Sequence, residues 1–210
     1  YNTTLGRFDG RFIYDPTTST SLNALQIGQT GTDQFSYGVG DGLASSTATV
    51  TITVAGANDP PVATPDQLTT DEDTLLSDNV ITRVPADFDP DAGDTATLTV
   101  VAINGIANNV GATITTGKGA TLRVTTSGAL TYDPRGSAVL QALAAGQSDT
   151  DTFTYTVADN RGGSSTATVT ITVTGVNDNP IARPNSYTTD DNTVLIGKNV
   201  ITDSPADTDP

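Results

Sequence analysis

Apolar residues alternate with threonine along the clearest stretches of this sequence. From Ser46 to Val54, the residues Ala48, Val50, Ile52 and Val54 fall on one face, and Thr47, Thr49, Thr51 and Thr53 on the other. The stretch Ser165 to Val173 repeats the pattern letter for letter. A period of two is that of a β-strand with one face in a core and the other in water. Thr suits the wet face: its branched Cβ fits the pleat and its hydroxyl stays hydrated. Phe35, Tyr37 and Val39 form a further alternating set, matched by Phe153, Tyr155 and Val157. Shorter strands are expected over 97–101, 112–116, 120–124 and 129–132, and another just before Asp71. Only Ser137 to Ala145 reads as helical, with Leu140 and Leu143 three apart and Gly146 placed to end it. The fold class expected is all-β.

The pattern recurs along the whole chain. Tyr14-Asp15-Pro16 corresponds to Tyr132-Asp133-Pro134 at an offset of 118, and Asp33, Phe35, Tyr37, Val39 and Asp41 correspond to Asp151, Phe153, Tyr155, Val157 and Asp159. One insertion raises the offset to 119, carrying Asn58-Asp59 onto Asn177-Asp178; a second raises it to 120, carrying Pro85-Ala86-Asp87 onto Pro205-Ala206-Asp207. Residues 62–176 therefore read as one whole repeat, the size of a single β-sandwich. Residues 1–57 read as the C-terminal half of the preceding repeat, 58–61 and 177–180 as linkers, and 181–210 as the start of the next repeat. The chain reads as a window on a longer array, and completion of its half-repeats by a neighbouring copy is a further arrangement the pattern permits.

Composition narrows the chemistry. The 210 residues include 23 Asp, one Glu and nine Lys plus Arg, for a net charge of -15, with no Cys, Met, Trp or His. Without Cys there are no disulfides or thiolate metal sites; without His the commonest general base and transition-metal ligand is missing. Such acidity repels nucleic-acid phosphates. No apolar run reaches the length of a membrane span, so membrane insertion of this segment is not expected, nor does a basic-then-apolar leader open the chain.

The carboxylates cluster at turns and seams. The densest run is Asp87-Phe88-Asp89-Pro90-Asp91-Ala92-Gly93-Asp94, partly copied at Asp207-Thr208-Asp209. Asp71-Glu72-Asp73 follows the first strand of the whole repeat, and Asn58-Asp59 and Asn177-Asp178-Asn179 lie in the linkers. Crowded carboxylates repel one another, and a bound cation relieves the repulsion. Oxygen-only donors on flexible loops suit Ca²⁺ better than octahedral Mg²⁺. Equally, Asp-rich loops are the solvated turns of an acidic, halophile-like protein, and Asp-Pro and Asp-Gly are ordinary turn pairs. The run is not an EF-hand, having neither Gly at its sixth position nor Glu at its twelfth.

The segment Asp151 to Gly163, its Thr-rich successor, the linkers Asn58-Asp59-Pro60-Pro61 and Val176 to Pro180, and the run Asp87 to Thr95 together resemble the VCBS and bacterial cadherin-like tandem repeats of large surface adhesins and RTX-type secreted proteins. The resemblance covers essentially the whole chain. It implies tandem Greek-key β-sandwiches with Ca²⁺ between successive domains. For the first seam it implies ligands among Asp33, Asn58, Asp59, Asp87, Asp89, Asp91 and Asp159. For the second it implies Asp71, Glu72 or Asp73, with Asp149, Asp151, Asn177, Asp178, Asn179, Asp207 and Asp209. Pro60 replaces the counterpart of Asn179, and Gly31 that of Asp149, which points to weaker binding at the first seam.

These readings make a calcium-stiffened extracellular spacer or stalk of a bacterial cell-surface adhesin the leading expectation, partnered by neighbouring repeats. A module that binds cell-surface or matrix polysaccharide is the alternative, as is a subunit of an extracellular sheath or filament that pairs with copies of itself. No enzyme is expected: carboxylate pairs exist, but most of these carboxylates recur with each repeat and no nucleophile-base constellation accompanies them.

Overall fold

The computed structural model describes residues 10–204. A hairpin of β1 (Thr30–Gly40) and β2 (Ser45–Ala55) comes first, followed after the linker by eight strands. These are β3 (Asp66–Asp71), β4 (Leu76–Asn79), β5 (Thr99–Ile103), β6 (Ile114–Thr115), β7 (Thr121–Val124), β8 (Ala129–Asp133), β9 (Ser148–Ala158) and β10 (Ser164–Thr174). They form two four-stranded sheets, ordered β3-β10-β9-β5 and β4-β8-β7-β6. The meander β6-β7-β8 accepts the early strand β4 beside its last member, and β5 crosses to pair with β9, the long-range connections of a Greek key. The expected all-β fold is what forms, as a two-sheet β-sandwich. No helix among the described residues is long and apolar enough to cross a membrane.

The period-two pattern sets the core. Phe153, Tyr155 and Val157 of β9 and Ala167, Val169, Ile171 and Val173 of β10 are buried, while the intervening threonines face outward. The antiparallel register sets Tyr155 against Ala167, so the larger ring meets the smallest partner. From the facing sheet, Val80, Leu122, Val124, Leu130 and Tyr132 close the same core. On the wet side Thr156 and Thr166 join hydroxyls at 2.8 Å across the pair. β3 pairs parallel to β10, with Leu68 opposite Ile171. β4 escaped the sequence reading because it is four residues long with one apolar member, too short to display an alternation.

The expected helix over Ser137 to Ala145 is corrected to a single 3-10 turn, Leu140–Ala142. Leu140 is fully buried and anchors the turn, Ser137 Oγ accepts from Leu140 N at 3.1 Å, and Leu143 already turns extended. One anchored turn cannot repay helix nucleation. At the corresponding place earlier in the chain the turn is α-helical, α1 (Thr20–Asn23), capped by Ser19.

The sandwich buries polar groups at one end. The Tyr155 hydroxyl lies 3.0 Å from both oxygens of Asp87 and from Val80 O, and 3.1 Å from Thr64 O. Thr64 N donates to Asp87 at 2.7 Å. Burial pushes the Asp87 carboxyl up, and burial together with Asp87 pushes Asp66 up to about 6, against the pull of Arg83. Tyr155→Phe leaves Asp87 short of a donor and is expected to cost about 1–3 kcal/mol in urea unfolding. Folded Asp66 keeps a proton that the unfolded chain releases near its ordinary value of 3.8. Stability measured in chelator should therefore fall as pH rises from about 4 to about 6. Asp66→Asn should flatten that slope.

Candidate metal centre

The linker and the acidic loop meet at one end of the sandwich because backbone bonds hold them together. Val62 N donates to Phe88 O at 2.7 Å and Phe88 N returns to Val62 O at 3.2 Å. The loop then folds back on itself. Asp91 N donates to Asp89 Oδ1 at 2.9 Å, and Asp89 N to Thr95 Oγ1 at 2.8 Å. Gly93 at φ 90° supplies the left-handed residue that leads into a 3-10 turn, Asp94–Thr97.

These turns bring oxygen atoms of Asp89, Asp91 and Asp94 within 4.8 Å of one another, all three side chains buried. The linker docks on them: Asp59 N donates to Asp91 Oδ2 at 3.0 Å, and Asn58 Nδ2 to Asp159 Oδ2 at 2.8 Å. Asp159 in turn accepts from Arg161 N at 2.7 Å and Gly163 N at 2.9 Å. Burial works to raise the Asp159 carboxyl, but the bonds from Asn58, Arg161 and the glycines outweigh it and hold it low. Asp89 is pushed up, by burial first and then by the charges of Asp91, Asp159 and Asp94. Arg161 Nε answers part of that charge at 2.7 Å from Asp94 Oδ2. From the segment before β1, Gln26 Nε2 reaches Asp94 Oδ1 at 2.9 Å, and Ala92 N donates to Ala24 O at 3.1 Å.

The donor set fits a hard cation. Asp89 Oδ2, Asp91 Oδ1 and Asn58 Oδ1 are buried and have no hydrogen-bond partner. Unsatisfied carboxylate oxygens beside like charges are costly. Oxygen ligands with no nitrogen or sulfur match Ca²⁺.

The remaining sequence candidates go elsewhere. Asp87 turns to Tyr155 instead of joining the trio. Asp149 pairs with Lys118 Nζ at 2.6 Å, and that bond holds its carboxyl low. Asp151 is buried against the hydroxyls of Tyr132, at 3.1 Å, and Thr116. Asp33 is exposed, and burial together with its carboxylate raises the phenol of Tyr14. At the opposite end, Glu72 is fully buried: Oε1 accepts from Val176 N at 2.8 Å, and Oε2 has no hydrogen-bond partner. Asp71 caps a turn through Asp73 N at 3.0 Å, and Asp73 is exposed. Asn177 and Asn179 are exposed and Asp178 half-buried. Asp207 and Asp209 lie outside the described residues.

The sequence reading passed over Asp94 as a ligand, along with Thr95, Arg161 and Gly163. A Cβ at Gly163 would lie 2.2 Å from Asp159 Oδ2 and 2.8 Å from Pro60 Cα, so only glycine lets the linker lie this close. The corresponding residue of the β1-β2 hairpin is Ala44, whose N–H donates to an exposed Asp41. Gly163→Ala is expected to destabilise the fold by about 1–3 kcal/mol in urea unfolding. Gly136→Ala, where nothing lies within 4 Å, should stay within about 0.5 kcal/mol.

No curated protein matches the sequence. Solved structures similar to the chain are cadherin ectodomains. PcdhgB3 EC1-4 is 18% identical, with 68% of this chain and 32% of that chain covered and a TM-score of 0.37. Human mucin-like protocadherin EC1-2 is 20% identical, covering 62% and 61% at a TM-score of 0.36. Mouse cadherin-23 EC22-24 is 13% identical, covering 71% and 43% at 0.34. The chain thus spans about a third of the first of these. The model of the bacterial cadherin-like domain matches residues 58–175. That match runs from the Asn58 linker to the end of β10, over more than half of the sequence, and the chain belongs to the bacterial cadherin-like domain family.

Proposed function

We propose that this chain is a calcium-stiffened extracellular spacer of a bacterial surface adhesin. The division proposed is a whole repeat at 62–176, linkers at 58–61 and 177–180, and partial repeats at 1–57 and 181–210. The observation that carries the reading is the clamp of Asn58 and Asp59 onto Asp159 and Asp91, beside buried carboxylate oxygens that lack partners. Asp89, Asp91 and Asp94, with Asn58 Oδ1, would hold the ion at the first seam. Glu72, close to the second linker through Val176, would contribute to the other.

When bound, Ca²⁺ supplies positive charge that offsets the repulsion among these groups. The chain's own residues do the rest. Asp59 N and Asn58 Nδ2 tether the linker to the following repeat. Gln26 and Ala24 bring the preceding repeat onto the same loop. A linker held from both sides loses the freedom to bend, and the entropy given up is returned by ion binding. A cadherin-like fold is not an enzyme family, and the carboxylates here accept from backbone N–H groups and from Asn58 and Arg161, as structural groups do.

Calorimetric titration of Ca²⁺ should give saturable uptake, and Asp89→Asn or Asp91→Asn should weaken it at least tenfold. Asp15→Asn, in an exposed turn, should leave it unchanged. Small-angle scattering should report a longer chain in Ca²⁺ than in chelator. No saturable uptake, with one shape in both buffers, would sink the reading.

A further inference from the structure

The turn between β9 and β10 is built by Asp159, whose Oδ1 accepts from Arg161 N at 2.7 Å and Gly163 N at 2.9 Å. Asn160, at φ 63°, carries the chain round, and its Nδ2 donates to Thr97 O at 3.4 Å. That bond fastens the turn to the 3-10 turn Asp94–Thr97 of the acidic loop. The turn between β1 and β2 is capped alike, with Asp41 Oδ1 accepting from Leu43 N at 2.9 Å and Ala44 N at 2.8 Å. A leucine serves there as well as an arginine does here, because the cap uses only the backbone N–H. The local turn therefore does not account for the Arg161 side chain.

That side chain crosses to the acidic loop. Its Nε lies 2.7 Å from Asp94 Oδ2, and its Nη2 donates to Asp94 Oδ1 at 3.4 Å. The Asp94 side chain is 6% exposed and that of Arg161 33%, so solvent and salt screen the pair less than they would a surface pair. The same Asp94 carboxylate lies within 4.8 Å of those of Asp89 and Asp91. Asp159 is buried beside them, and its charge is felt at Asp89. Arg161 thus sets one positive charge against four crowded carboxylates, on an oxygen pair that a divalent ion at this site would also draw on. A guanidinium keeps its charge at every pH at which the protein is folded.

We infer that Arg161 is a resident counter-cation of this seam, which shares Asp94 with the ion and sets the calcium concentration at which the linker stiffens. Its fixed charge relieves part of the carboxylate repulsion at low calcium. By the same Coulomb term it lowers the attraction of the loop for a further cation. Arg161 thereby makes the seam less dependent on the ion and less avid for it. This inference rests on the ion site proposed above.

Calorimetric titration of Ca²⁺ into the full chain should show Arg161→Leu binding about tenfold tighter than the parent. Arg161→Lys keeps the charge and should bind within about threefold of the parent. Both variants should fold, since the β1-β2 turn forms with leucine and Gln26 Nε2 still donates to Asp94 Oδ1 at 2.9 Å. Urea unfolding separates this role from simple bracing. In chelator Arg161→Leu should unfold at lower urea than the parent, and in saturating Ca²⁺ the gap should close, because tighter binding returns more stability. Bracing alone would lower the midpoint in both buffers and leave the affinity where it was. A parent that takes up Ca²⁺ while Arg161→Leu binds it no more tightly would overturn this inference and leave the ion site standing. Uptake by neither chain would overturn both. Uptake by Arg161→Leu alone would support the counter-cation and remove calcium from the native seam.

Discussion

Burying carboxylates side by side is the constraint on which the rest of this molecule turns. Asp87, Asp89, Asp91, Asp94 and Asp159 are all nearly inaccessible at one end of a single sandwich. Each would be costly alone. The chain divides them by partner: Asp87 goes to Tyr155 and Thr64 N, Asp159 to the backbone of its own turn and to Asn58, and Asp94 to Arg161 and Gln26. What remains is a pair, Asp89 and Asp91, each with an oxygen left over. The linker is drawn to the same place because Asp59 N donates to Asp91 and Asn58 Nδ2 to Asp159. Charge crowding and linker geometry are therefore one problem with one solution.

The opposite end handles its acids differently. Lys118 neutralises Asp149, Tyr132 and Thr116 satisfy Asp151, and Glu72 reaches across to Val176 N. Asp151 recurs in sequence as Asp33, yet it is occupied by the sandwich's own side chains, as is Asp149. Repetition marks a position as part of the unit's construction. It does not separate a ligand from a strut.

The strands were legible because their information is local. Alternation names the buried face of β9 and β10, and it places the strands β1 and β2 as well. The same reasoning fails at β4, with one apolar residue in four, and at Ser137 to Ala145, where the two leucines suggested a helix. There Leu140 needed only one buried contact, and a single turn supplied it. Gly163 carried no signal at all, since its importance lies in the approach of Pro60 from a stretch about a hundred residues earlier.

From its sequence alone, this protein is an all-β, repeated and acidic chain whose carboxylates gather at turns and linkers, because period, offset and composition are properties of neighbouring residues. Only the tertiary structure decided which carboxylates share space. Asp87 and Asp91 are four residues apart, but one faces a tyrosine 68 positions on from Asp87 and the other accepts from Asp59 N of the linker. Asp33 sits beside Tyr14, Asp149 beside Lys118 and Asp151 beside Tyr132, and Asp94 joins Asp89 and Asp91 through a glycine turn. Side-chain destinations depend on strand register and loop closure across the whole fold, and no local pattern encodes them.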